Sequence, residues 1–154
     1  MARIFRFFSL VILMVIICNT CKKDDDWYHI TAYEENLNYY VNEYRKSQSK
    51  DVLILQPVMV VEAQKNSKEW RDGGDPVAGL QDRFKSIKEK LGGTNSAAIT
   101  TIAYNLSPDS VVNRWVADTA IRKILLGVYT QSGPGVAQGD DNAIYITHMF
   151  LNIP

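Results

Sequence analysis

An α+β fold, an α-β-α sandwich in which helices flank a small antiparallel sheet, follows from three features of the sequence. Its 154 residues, less a short apolar leader, suffice for one domain with one hydrophobic core. Apolar residues recur at helical spacing as far as the Gly92-Gly93 pair. Beyond that pair, stretches rich in β-branched residues alternate with a further helical segment.

Residues 1–20 read as a signal peptide. Arg3 and Arg6 precede an apolar run from Phe7 to Ile17 that only Ser9 interrupts, too short to span a bilayer and of the length of a signal core. Thr20 before Cys21 suits cleavage better than Ile17 before Cys18, so Cys21 is the expected lipid acceptor. Residues 21–30 then form a polar tether. Its Cys-Lys-Lys-Asp-Asp-Asp run resembles the acidic surface-export tag of lipoproteins of the Bacteroidetes type. An uncleaved leader is the alternative, and either arrangement holds the chain at a membrane. Asp24–Asp26 lack the turn glycine and downstream Glu of a calcium loop and read as solvated tether.

The domain occupies residues 31–154. Thr31 with Glu34 forms a capping box that opens a helix to Ser47, with Leu37, Tyr40, Val41 and Tyr44 on one face. Pro57 opens a second helix, carrying Val61 and running to Trp70, and Asp72-Gly73-Gly74-Asp75 breaks it. A third runs from Pro76 to Leu91, closed by Gly92-Gly93. Ala97–Leu106 reads as a strand. Ser107 and Pro108 then start a fourth helix that carries Val111, Val112, Trp115 and Ile121. Val128–Gln138 and Ala143–Leu151 read as strands joined by the turn Gly139-Asp140-Asp141-Asn142. Leu37, Tyr44, Val61, Trp115 and Ile146 are the expected core, the Trp115 indole donating to a backbone carbonyl.

Composition excludes several functions. Once the leader is set aside, 15 basic face 17 acidic residues, which gives no footprint for nucleic acid. Both cysteines, Cys18 and Cys21, precede the domain, so it has neither an internal disulfide nor a thiol nucleophile. No Gly-x-Ser-x-Gly elbow occurs, and Gly133-Pro134-Gly135 lacks the Lys-Ser/Thr of a phosphate loop; it reads as a place where another backbone comes close. Tyr33, Tyr39, Tyr40 and Tyr44 are either an aromatic surface or core, with core favoured for Tyr40 and Tyr44.

The order of several segments resembles the CAP superfamily, the domain of cysteine-rich secretory and pathogenesis-related proteins. The segments are Val41-Asn42-Glu43-Tyr44-Arg45, Ala63-Gln64-Lys65-Asn66-Ser67, Asp82-Arg83-Phe84, Thr101-Ile102-Ala103-Tyr104-Asn105, Val112-Asn113-Arg114-Trp115, Gly133-Pro134-Gly135-Val136-Ala137 and Tyr145-Ile146-Thr147-His148-Met149-Phe150. The resemblance covers nearly all of residues 32–151 and implies the same α-β-α sandwich.

It also implies a cleft holding two His and two Glu able to bind a divalent ion. Here the matching positions carry Thr100, Ile121 and Gln131, and the interval Arg71–Val77 offers only Asp72 and Asp75 in place of the first histidine. The chain contains only His29, in the tether, and His148, in the last strand, where a core or surface histidine is the favoured reading. The expected protein is therefore a membrane-anchored extracytoplasmic binding module with no catalytic residues, no metal and no cofactor. Its degenerate cleft, with Thr100, Ile121, Gln131 and His148 as candidate lining, would hold an apolar or neutral ligand such as a lipid, a peptide or a glycan. Its partner is the membrane, reached through the lipid at Cys21, with an outer-membrane location facing the cell surface. An envelope hydrolase with a different site and a purely structural or interaction lipoprotein are the alternatives.

Overall fold

The computed structural model describes residues 29–154. The signal peptide, Cys21 and Asp24–Asp26 lie outside the described residues. The elements are α1 (Ala32–Ser47), β1 (Ile54–Leu55), α2 (Pro57–Arg71), α3 (Leu80–Leu91), β2 (Ser96–Tyr104), α4 (Pro108–Ala117), α5 (Thr119–Leu125), β3 (Gln131–Gln138) and β4 (Ala143–Leu151). The strands lie in the order β1-β3-β4-β2.

Alternation along the strands sends successive side chains to opposite layers. Ile99, Ala103, Ile146 and Phe150 meet Leu37 and Val41 of α1, Val111, Val112 and Trp115 of α4, and Leu125 of α5. Met149 and Leu151 face the other way, onto Met59 and Ala63 of α2 and Phe84 and Ile87 of α3. The result is the expected α-β-α sandwich. Leu37, Trp115 and Ile146 are buried as expected, whereas Tyr44 and Val61 are only partly so and Tyr40 is exposed.

The capping box is present in both directions: Glu34 N–H donates to Thr31 Oγ1 (3.3 Å), and Thr31 N–H donates to Glu34 Oε2 (2.8 Å). The expected helix from Pro76 begins later, at Leu80. Asp75 Oδ1 accepts the Val77 N–H at 2.8 Å in a local turn, and Gly79 takes a left-handed φ of 72°. The single helix expected from Pro108 through Ile121 is two helices. Asp118 is extended, with φ −79° and ψ 120°, and its carboxylate caps α5 by accepting from Ala120 N–H (2.7 Å) and Ile121 N–H (3.0 Å). Ser107 sits at the N-cap of α4, but its hydroxyl bonds Ser110 Oγ rather than a backbone N–H.

The sheet is mixed, not antiparallel. The short strand β1 pairs parallel to β3, with Ile54 opposite Gln131. Asn42 holds it there, because its amide accepts from Leu53 N–H (2.7 Å) and donates to Leu53 carbonyl (2.9 Å), as a neighbouring strand would. β2 ends at Tyr104 rather than Leu106, and β3 starts at Gln131 rather than Val128.

Candidate functional site

The segments that carry the family resemblance are structural fasteners. Arg45 is buried, its Nε donating to Asp51 carbonyl (2.8 Å) and its Nη1 to the carbonyls of Leu125, the last residue of α5, and Gly127 just after it (2.6 and 3.1 Å). Asn66 Nδ2 donates to Pro76 carbonyl (2.9 Å) and Thr147 Oγ1 (3.0 Å), and Ser67 Oγ donates to Gly135 carbonyl (2.9 Å). Arg83 ties α3 to α2 through Glu62 and Glu69. A Cβ at Gly133 would collide with Met59, and one at Gly135 with the backbone of Ala63 and Gln64. Gly133-Pro134-Gly135 is thus the close approach expected, with α2 lying directly on β3.

The buried carboxylate of Glu34 joins these layers. Its oxygens accept from Thr31 N–H, from Gln64 Nε2 (2.9 and 3.0 Å) and from Val136 N–H (2.9 Å). Every near donor is a cap, amide or backbone group, so this carboxylate is held as a structural acceptor.

The expected cleft residues do not converge. Thr100 stands opposite Thr147, which bonds α2, whereas His148 stands opposite Ile99, which packs with α1 and α4. The two therefore point to opposite layers. Gln131 is opposite Leu151, on the α2 and α3 side, and its Oε1 is buried without a partner among the described residues. Ile121, partly buried on α5, packs against the α1 and α4 cluster.

His148 is fully buried. Its ring stacks on Phe150, with centroids 4.5 Å apart and planes 15° apart, and lies 5.9 Å from Trp115. Neither ring nitrogen has a partner among the described residues, and desolvation pushes the imidazole pKa down to about 3. It is a neutral core residue. The Trp115 indole, expected to donate to a carbonyl, has no partner among the described residues either. No cluster of three or more His, Cys, Asp or Glu stands close enough to hold a metal ion among the described residues.

Sequence reasoning missed a concavity of about 590 Å³ at one end of the sheet. Arg71, Asp72, Tyr104, Asp140, Asp141 and Tyr145 line it. Arg71 holds Asp72 through contacts of 2.8 and 3.2 Å, and this hydrogen bond keeps the Asp72 carboxyl below the usual carboxylate range. Asp72 was visible as one of the acidic residues beside the position of the missing histidine. The aromatic wall was not, because it forms where the last turn of α2 meets β2 and the β3–β4 turn.

Layer order, helix positions and the mixed sheet define the class: this is the CAP, or SCP, fold. No protein-family model matches the sequence, and no curated protein does. Solved structures are similar. An extracellular protein containing an SCP domain from Bacillus anthracis is 21% identical with a TM-score of 0.62, over 79% of this chain and 40% of that one. A cysteine-rich secretory protein from Staphylococcus aureus is 20% identical with a TM-score of 0.59, over 80% of this chain and 40% of that one. An outer surface protein from Borrelia burgdorferi is 16% identical with a TM-score of 0.53, over 82% of this chain and 98% of that one. This chain thus spans 40% of the length of the first two, and at these identities the likeness is one of fold.

Proposed function

We propose that this chain is a membrane-anchored, extracytoplasmic binding module that keeps the CAP scaffold without the metal-binding chemistry, and that it takes a neutral ligand. One observation carries the reading. The fasteners Asn42, Arg45, Asn66, Ser67, Gly133 and Gly135 are all engaged, while Thr100, Ile121 and Gln131, which the family resemblance aligns with imidazoles and carboxylates, supply neither, and Ile121 lies in the α1–α4 layer, across the sheet from Thr100 and Gln131. The only histidine on a described strand is sealed between aromatic rings, so it offers no lone pair to an ion at the surface. The secreted and outer-surface character of the similar structures, together with the leader and Cys21, supports a place in the cell envelope.

The test uses the full-length chain. The wild type should partition into detergent, and Cys21→Ser should lose that partitioning or its leader processing while Cys18→Ser keeps both. In calorimetry the detergent-solubilised wild type should take up no zinc stoichiometrically. Unchanged partitioning of Cys21→Ser overturns the anchor, and a saturable zinc site of micromolar or tighter affinity overturns the non-catalytic reading, because such a site needs three or four converging donors.

A further inference from the structure

Helix α2 ends at Arg71, where Asp72 caps it and Gly73 turns the chain away with φ 98°. The sheet beneath it continues. Tyr104 is paired with Ala143, and Tyr145, two residues further along β4, points to the same side, the side α2 no longer covers. The two phenol rings are thus diagonal neighbours across two strands. Tyr145 is held in place: its ring meets Trp70 edge-on at 5.3 Å and 85°, and its Cε2 lies 2.7 Å from where a Cβ on Gly139 would stand. Tyr104 is 59% exposed, with its ring at the rim.

The lining decides what fits. Carboxylates of Asp72, Asp140 and Asp141 and the Arg71 guanidinium surround the rings, so an acyl chain would desolvate charges with nothing in return. The carboxylates outnumber the single guanidinium, which Asp72 already engages, so an anionic ligand meets net repulsion. The acidic residues do not form a metal cluster. A ligand that satisfies both walls is neutral, carries many hydroxyls and has flat apolar faces. A pyranose does so: its C–H face lies on an aromatic ring, and its adjacent hydroxyls donate to carboxylate oxygens or accept from a guanidinium. The volume of about 590 Å³ is that of a small-molecule site.

We infer that the concavity formed by Tyr104, Tyr145, Arg71, Asp72, Asp140 and Asp141 is a binding site for a neutral oligosaccharide. The inference rests on the binding-module reading and deepens it by naming the ligand class.

The detergent-solubilised full-length chain is titrated with hexasaccharides of α-1,4-linked glucose, β-1,4-linked glucose and β-1,4-linked mannose, and with polygalacturonate as an anionic control. Binding is followed by aromatic fluorescence, and the sugar is recovered afterwards and weighed by mass spectrometry. At least one neutral hexasaccharide should bind saturably and polygalacturonate should not. Tyr104→Ala should weaken binding at least tenfold while Tyr104→Phe, which keeps the ring, preserves it. Because Tyr104 is largely exposed, both variants should melt with the parent, which makes a loss of binding specific. Saturation by none of the neutral sugars, or binding that survives Tyr104→Ala, overturns the site and leaves the non-catalytic reading standing. Recovery of shortened sugar alongside Tyr104-dependent binding keeps the site and overturns the non-catalytic reading instead; recovery of intact sugar supports both.

Discussion

Glu34 and His148 are both fully buried and both ionisable, yet their surroundings are opposite. At the junction of α1, α2 and β3, the Glu34 carboxylate receives hydrogen bonds from a helix cap, an amide side chain and a strand backbone. In the aromatic core, His148 and Trp115 carry polar nitrogens with no partner among the described residues, and the rings are placed by packing alone. A buried polar group can hold a fold together through directional bonds, or be tolerated in its neutral form at a cost. This molecule does each in a different place, and the two should respond differently to substitution.

The largest effect is expected from the packing side. Trp115→Ala removes a side chain that is 2% exposed and should cost about 3 to 5 kcal/mol in denaturant unfolding, a large part of a typical domain's stability. A cost below about 1 kcal/mol would show that the cluster collapses to fill the void and that its packing is not specific.

Glu34→Ala comes next, at about 3 kcal/mol, because it leaves the Thr31 N–H and the Val136 N–H without their carboxylate acceptor. Glu34→Gln keeps an acceptor and should recover part of the loss. If the two variants are equally unstable, the charge rather than the hydrogen-bond geometry holds the junction.

The smallest effect has the opposite sign. His148→Leu removes two unpartnered nitrogens and should stabilise the protein at neutral pH by about 1 kcal/mol. It should also change the acid limb. The folded imidazole titrates near 3 and the unfolded one near 6.5, so between these values the unfolded chain binds the extra proton. The contribution of this imidazole to stability is therefore constant above about pH 6.5 and falls by about 1.4 kcal/mol per pH unit towards pH 3. His148→Leu should flatten that segment of the stability–pH curve, and identical acid limbs in both proteins would mean that His148 finds a partner in solution.

Much of this was legible from residue order. Thr31 and Glu34 announced the start of α1, Pro57 that of α2, and the turn at Gly139–Asn142 joins two strands where its composition placed it. Counting left only His29, in the tether, and His148, in the last strand, so a cleft with two histidines was not expected. What escaped depends on partners distant in sequence. β1 has too few residues to show a period and exists because Asn42 and β3 flank it. The break at Asp118 turns on whether its carboxylate faces solvent or the next helix, which an apolar period running through Trp115 and Ile121 conceals. The division of Thr100 from His148 is a matter of strand register, where one residue decides the layer. The Tyr104–Tyr145 concavity arises only because a helix is shorter than the strands it covers.

The Glu34 junction also sits where the chain enters the domain. Gln64, which donates to Glu34, reaches back to the His29 carbonyl at 3.1 Å, so His29 and Glu34 are fastened to α2 or β3, and Thr31 is bonded to Glu34 between them. A tug arriving along the preceding segment would not peel α1 open from its first turn. It would be shared at once between α2 and β3, in two layers of the sandwich.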